Sequence, residues 1–250
     1  MKNILINFFK ENYFLVIVKK IFKKFEKNTS VEAKKWAVEN NKRSIEEFFC
    51  SVDAPLYDEI KIEIKSIQEF AQNKISKLTV PLGGGGNYIL LYFLIRKFKL
   101  FNIVETGVAA GWTSLAILRA LKKNGKGFLY SSDFPYFRLR NPEKYIGIMV
   151  PEELKKNWRL EILGDEKNIK KFKLEIDYAD IILYDSDKRY SGKINFFKAI
   201  NNLIRPNSII VVDDLHNDSF FLEYVNEKKC KNWFIVESKR KHIVGIILPD

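Results

Sequence analysis

Five short stretches of the 250-residue chain put acid, glycine or lysine side chains where chemistry can be done. They are Glu105-Thr106-Gly107-Val108-Ala109-Ala110-Gly111-Trp112-Thr113-Ser114, then Asp133, Gly164-Asp165, Asp185-Ser186-Asp187-Lys188-Arg189-Tyr190, and Asp213-Asp214. Glycines at 107 and 111 let the backbone come close to a ligand, while Glu105 or the N-terminus of a following helix can meet an ammonium or a carboxylate. Carboxylates such as Asp133 and Asp165, at the ends of strands, can accept hydrogen bonds from the hydroxyl or amino groups of a ligand. Each residue also has an ordinary use, as a strand-to-helix turn, a helix cap or a solvated loop acid. Three acids at three successive strand ends are harder to dismiss than any one.

The elements that must position these residues alternate. Strand-like runs occur at Phe101–Glu105, Gly127–Ser132, Trp158–Leu163, Ala179–Tyr184 and Ser208–Val212, and helical patterns at Tyr88–Phe98, Trp112–Lys122, Ile194–Ile204 and Phe220–Glu227. Such alternation predicts a parallel, doubly wound sheet whose ligands bind at the carboxyl ends of the strands. Trp233–Val236 and Ile243–Leu248 are separated only by Glu237–His242, too little for a helical crossover, so these two are expected to pair antiparallel. The stretch from Phe134 to Asn157, with Tyr136, Phe137, Arg138 and Arg140, is long for a plain crossover; an irregular loop followed by an ordinary helix from Pro151 is expected there.

Upstream, Thr29 to Thr79 reads as two or three helices broken near Asp53–Pro55, and Pro81-Leu82-Gly83-Gly84-Gly85-Gly86-Asn87 as a joint. The expected division is a basic N-terminal helix over 1–28, a helical cap over 29–82 and a ligand-binding domain over 83–250.

The Glu105–Ser114 stretch resembles the first motif of class I S-adenosylmethionine-dependent methyltransferases, an acidic residue, then glycine, three residues and glycine. That resemblance implies an α/β fold: a doubly wound, mostly parallel, seven-stranded Rossmann-like sheet with one antiparallel strand near the C-terminus, here with an N-terminal helical extension. It implies S-adenosylmethionine bound by Glu105, Gly107, Gly111, Ser114, Asp133 and Asp165. Over roughly residues 86–218 the chain is similar to the catechol and caffeoyl-CoA O-methyltransferases, which carry an Asp with Lys three residues on after the fourth strand and an Asp-Asn pair after the fifth. By that similarity Asp185, Asp213 and Asp214 would hold Mg²⁺, with Asp185 and Lys188 acting on the acceptor hydroxyl; oxygen ligands suit that ion, and a bound cation lowers a hydroxyl pKa. Two departures stand out: Asp214 replaces the family's Asn, and Tyr190 falls five rather than six residues after Asp185. The latter looks more like bacterial sugar and antibiotic modifiers that carry Asp, His and Tyr there, with Lys188 in place of the His. The implied activity is O-methylation of a small-molecule or glycan hydroxyl.

Composition narrows the alternatives. There is no GxGxxG and no GxxxxGK[ST], so dehydrogenase and P-loop readings lose their motifs. The net charge of +12 favours an anionic partner. A nucleic-acid methyltransferase would be one answer, but no [DNS]PP[YFW] follows the fourth strand and neither cysteine follows a proline, so base methylation lacks its residues. A non-catalytic membrane-binding module is the other alternative. Residues 1–30 hold seven lysines against two glutamates, and a helix over 18–27 would set Val18, Ile21, Phe22 and Phe25 opposite five lysines. Such a segment within residues 1–27 can lie on an anionic membrane surface or pack on protein. The apolar run Tyr13–Val18 is too short to span a bilayer and is followed by lysines rather than a cleavage site, so a cytoplasmic protein, peripheral at the inner membrane face, is expected. Cys50 and Cys230 form no metal or disulfide pattern, in keeping with that setting.

Overall fold

The computed structural model describes residues 2–8, 13–14, 31–41, 43–78, 80, 82, 85–215, 218–237 and 243–250. The lysine-rich helix expected over 18–27 lies outside them. Eight strands form one sheet: β1 (Arg43–Ser44), β2 (Asn102–Thr106), β3 (Phe128–Ser132), β4 (Trp158–Glu161), β5 (Ile181–Tyr184), β6 (Ile209–Val212), β7 (Trp233–Glu237) and β8 (Ile243–Ile247). Their order is β1-β7-β8-β6-β5-β2-β3-β4. All pairs are parallel except those of β8, which runs antiparallel between β6 and β7. The sheet thus has one strand beyond the expected seven. The short β1 pairs with β7 through Arg43↔Val236 and Ser44↔Glu237, an addition that two polar residues in an otherwise helical stretch do not announce.

Alternate residues of the central strands feed two cores, because successive side chains of a strand point to opposite faces. Ile103, Ile181, Leu183, Ile209 and Val211 pack on one face with α3 (Ile45–Ile75), α4 (Tyr88–Phe98) and α5 (Trp112–Asn124). Val104, Ile182, Tyr184, Ile210 and Val212 pack on the other with α6 (Asp165–Phe172), α7 (Tyr190–Ile200), α8 (Phe220–Glu227) and Ala37 of α2 (Val31–Asn40). Strands buried on both faces explain why these runs read as continuous Ile, Val and Leu.

Helix α3 opens with a capping box, Ser44 accepting from the Glu47 amide while the Glu47 side chain accepts from the Ser44 amide. It breaks where expected: Asp53 is extended (φ −165°, ψ 87°), and its carboxylate accepts from the Leu56 amide, starting a second helical segment with Pro55 in its first turn. Between β3 and β4 the expected helix from Pro151 is instead a six-residue 3₁₀ turn, Glu152–Asn157, preceded by another at Pro142–Tyr145. The short helix α1 (Lys2–Phe8) docks on this irregular crossover. Buried Asn7 donates to the carbonyls of Phe137 and Leu139 at 3.0 Å each, Asn3 donates to Arg138, and Tyr13 meets Phe137 edge to face. No described helix is long and apolar enough to cross a membrane.

Candidate active site

Strand order reverses between β2 and β5, which creates a crevice at their carboxyl ends. Glu105 lies on one side of it, fully buried. Its Oε2 accepts from Ser114 Oγ at 2.6 Å and Ser131 Oγ at 2.7 Å, and Ser131 in turn accepts from Trp158 Nε1 at 2.8 Å. Burial pushes the Glu105 carboxyl up to about 7, against the pull of the two hydroxyls. Its Oε1 has no hydrogen-bond partner among the described residues.

Gly107 and Gly111 both have positive φ (80° and 92°), as expected for a loop that turns sharply into α5. What presses on them is protein. A Cβ at 107 would lie 1.8 Å from the Asp185 carbonyl oxygen, and one at 111 would lie 2.8 Å from Gly147 Cα. The Ala109 amide of the same loop donates to Asp133 Oδ2 at 2.6 Å, and Asp133 Oδ1 accepts from the Phe134 amide. Asp133 is therefore at the loop, half-buried, and helps to shape it. Asp165 is the first residue of α6; its two oxygens accept from Ser132 Oγ and Ser186 Oγ at 2.6 Å each, tying the ends of β3 and β5 together.

On the far side of the crevice, Asp185, Asp213 and Asp214 converge, each offering an oxygen within 4.8 Å of the others. Burial and the neighbouring Asp213 and Asp214 charges hold the Asp185 carboxyl well above the usual range, and a hydrogen bond to Asp213 acts in the same direction. Lys188 lies 2.6 Å from Asp214 Oδ2. Burial pulls the Lys188 ammonium down, but the hydrogen bond to Asp214 and the charges of all three aspartates raise it above its ordinary value. The lysine is thus a counter-charge at the edge of the cluster, beside Asp214. Gly86 borders the cluster, a Cβ there falling 3.6 Å from Asp185 Oδ2.

The sequence pattern gave no sign of Lys193. Fully buried in α7, its ammonium donates to the Asp214 carbonyl at 3.1 Å and pairs with Asp218 at 2.9 Å. It braces Asp214, which has a positive φ of 54°. Nothing in the spacing of YSGKINFFKAI distinguishes it from Lys198 in the same helix. A cavity of about 520 Å³ is lined by Lys74, Lys144, Ile148, Lys155 and Trp158 and by none of Glu105, Asp133, Asp165, Asp185, Asp213 and Asp214.

Residues 104–215 match the family described as a methyltransferase domain. No curated protein matches the chain. Among solved structures it is similar to the O-methyltransferase from Bacillus cereus in complex with S-adenosylhomocysteine, with TM-score 0.58 and 14% identity over 82% of this chain and 100% of that one. It is also similar to the O-methyltransferase TomG from Streptomyces achromogenes, involved in tomaymycin synthesis and solved with S-adenosylmethionine, with TM-score 0.54 and 14% identity over 74% and 89%. The antiparallel β8 between β6 and β7, the glycine loop after β2 and the family match agree: residues 104–215 match a methyltransferase domain and lie in the fold of class I methyltransferases.

Proposed function

We propose that the chain transfers a methyl group from S-adenosylmethionine to a hydroxyl of a small molecule or glycan presented at Asp185, Asp213 and Asp214. The observation that carries this reading is the convergence of the three carboxylates across the crevice from the glycine loop. The orphaned, fully buried Glu105 Oε1 fits an ammonium such as the cofactor bears. The involvement of TomG in tomaymycin synthesis supports a small-molecule acceptor. When bound, S-adenosylmethionine supplies a sulfonium-activated methyl group. The protein has to orient donor and acceptor and favour a deprotonated oxygen.

The acidic trio also fits a divalent cation of the Mg²⁺ type: hard oxygen donors, close together and costly to leave as mutual neighbours. Asp185, Asp213 and Asp214 would hold it, and it would supply the Lewis acidity that lowers the pKa of the acceptor hydroxyl. Lys193 would keep Asp214 in place, and Lys188 would give up its contact with Asp214 and face the acceptor.

Calorimetry of the intact protein with S-adenosylhomocysteine, then thermal melts in millimolar Mg²⁺, tests both parts. The expected results are cofactor binding, a higher midpoint with Mg²⁺, and a blunted rise in Asp213→Asn. If Lys188 alone neutralises the cluster, Mg²⁺ will change little and Lys188→Met will lower the midpoint. That outcome removes the metal and leaves methyl transfer standing.

A location at an anionic surface rests on the lysines of 18–27 together with Ile6 and Phe14, both exposed apolar side chains near the N-terminus.

A further inference from the structure

The cavity of about 520 Å³ that none of the crevice acids lines is built from two distant stretches of chain, the last turn of α3 and the 143–160 segment. Its size falls within the roughly 300–1,000 Å³ of small-molecule sites. Ile146, Ile148, Val150, Leu160 and the Trp158 ring give it an apolar lining, and the Trp158 N–H is already engaged by Ser131, which fixes the ring. Three lysines, Lys74, Lys144 and Lys155, line the same space. An apolar pocket with a few convergent charges is the usual form of a site for a small organic ion.

The two carboxylates of the lining do not cancel these charges. Glu143 accepts from the Tyr13 hydroxyl, and Glu152 is paired with Lys155 at 2.7 Å in an ion pair whose side chains are 86% and 46% exposed. A pair so open to water is worth little, so Lys155 can exchange Glu152 for another anion. Lys74 is half-buried and donates to the Ile148 carbonyl at 2.7 Å, a bond that uses one of its three N–H groups and holds the ammonium at the cavity wall. Burial and the charge of Lys155 hold that ammonium below its ordinary value, against the pull of Glu153. Two like charges that feel each other at an apolar cavity cost the folded chain free energy, and an anion between them removes that cost.

We propose that this cavity is a second ligand site, apart from the crevice acids, for a small organic phosphomonoester with a flat apolar body. Such a phosphate carries close to two negative charges just above neutral pH and three acceptor oxygens, which suits Lys74 and Lys155 together; a carboxylate brings one charge only. The apolar body meets Trp158, Ile148 and Val150. The site stands whether or not the chain binds S-adenosylmethionine, because it shares no residue with Glu105, Asp133, Asp165 or the acid trio.

Calorimetry on the full chain, just above neutral pH, tests this with phenyl phosphate. It should bind saturably and roughly tenfold more tightly than inorganic phosphate, which lacks the ring, or benzoate, which lacks the second charge. Lys74→Met should weaken phenyl phosphate roughly tenfold. Lys155→Glu, a change at an exposed position, should abolish its binding and decides the matter if Lys74→Met does not fold. Lys65→Met, elsewhere on α3, should leave it unchanged. Equal affinity for phenyl phosphate and inorganic phosphate, or a loss in Lys65→Met as large as in Lys155→Glu, would overturn the proposal, since either means a loose attraction to the net charge of +12. Wild-type affinity in Lys155→Glu would overturn it too, by putting the ligand elsewhere. Phosphatidic acid bears the same headgroup chemistry. If phenyl phosphate does not bind, and sedimentation with phosphatidylcholine vesicles containing phosphatidic acid is lost in Lys155→Glu, the cavity serves lipid and the soluble ligand is overturned.

Discussion

Burial makes Glu105 a pH-dependent element of stability. Its carboxyl rises from the ordinary 4.5 to about 7, so between those values the folded chain keeps a proton that the unfolded chain has released. Stability therefore falls as pH climbs from about 4.5 to 7 and levels off above, by an amount on the order of 3 kcal/mol. Urea titrations across that range should show the decline, and Glu105→Gln should flatten it while keeping the acceptor for Ser114 and Ser131. A wild-type profile that is flat over the window would mean that Glu105 is ionised in the fold. If a cofactor ammonium binds at Oε1, binding below pH 7 should also release a proton, which calorimetry in buffers of different ionisation heat would register.

Strands β2 and β5 meet so closely beyond Thr106 that the loop has no room for any side chain at 107. A methyl there would overlap the Asp185 carbonyl in addition to straining a φ of 80°. Gly107→Ala should cost about 3 kcal/mol or more and displace Asp185, so that cofactor affinity and the acid cluster suffer together. Gly125→Ala is the control: its φ is 73°, but nothing lies within 4 Å of the added carbon. It should cost only about 1 kcal/mol, the backbone penalty alone. Chemical denaturation of the two variants separates collision from conformation; equal losses would mean that the loop yields at 107. Branched side chains at 107 would fail for the same reason before ever reaching a ligand.

Across the whole molecule, the contacts of the N-terminal region and its charge lie in different residues. Helix α1 and Tyr13 hold the 134–139 crossover through Asn3, Asn7 and Phe137, whereas the positive charge is concentrated in residues 18–27. Deleting residues 1–14 should open the crossover to limited proteolysis near Arg138 and Arg140. Changing Lys19, Lys20, Lys23 and Lys24 to glutamine should leave that loop protected and abolish sedimentation with anionic liposomes at low salt. Unchanged sedimentation in the glutamine variant would end the membrane proposal.

Periodicity and spacing were enough to locate most of the domain's strands and helices, because a doubly wound sheet writes its two buried faces directly into runs such as IILY and IIVV. The break at Asp53 was legible for a similar reason: proline and a capping carboxylate act on the adjacent backbone. The glycine loop and the strand-end acids were also visible, since backbone geometry restricts residue type there. What could not be read depended on partners far along the chain. The edge strand β1 exists only because β7 lies beside it, and α1 docks on carbonyls some 130 residues away. The segment 146–150, which joins the two 3₁₀ turns, is held to the glycine loop through the Ala109 and Ala110 carbonyls and packs on Trp158. Lys193 has an unremarkable type and spacing. Its role comes from burial and from the partners its ammonium finds, and those are properties of the folded neighbourhood that no local pattern encodes.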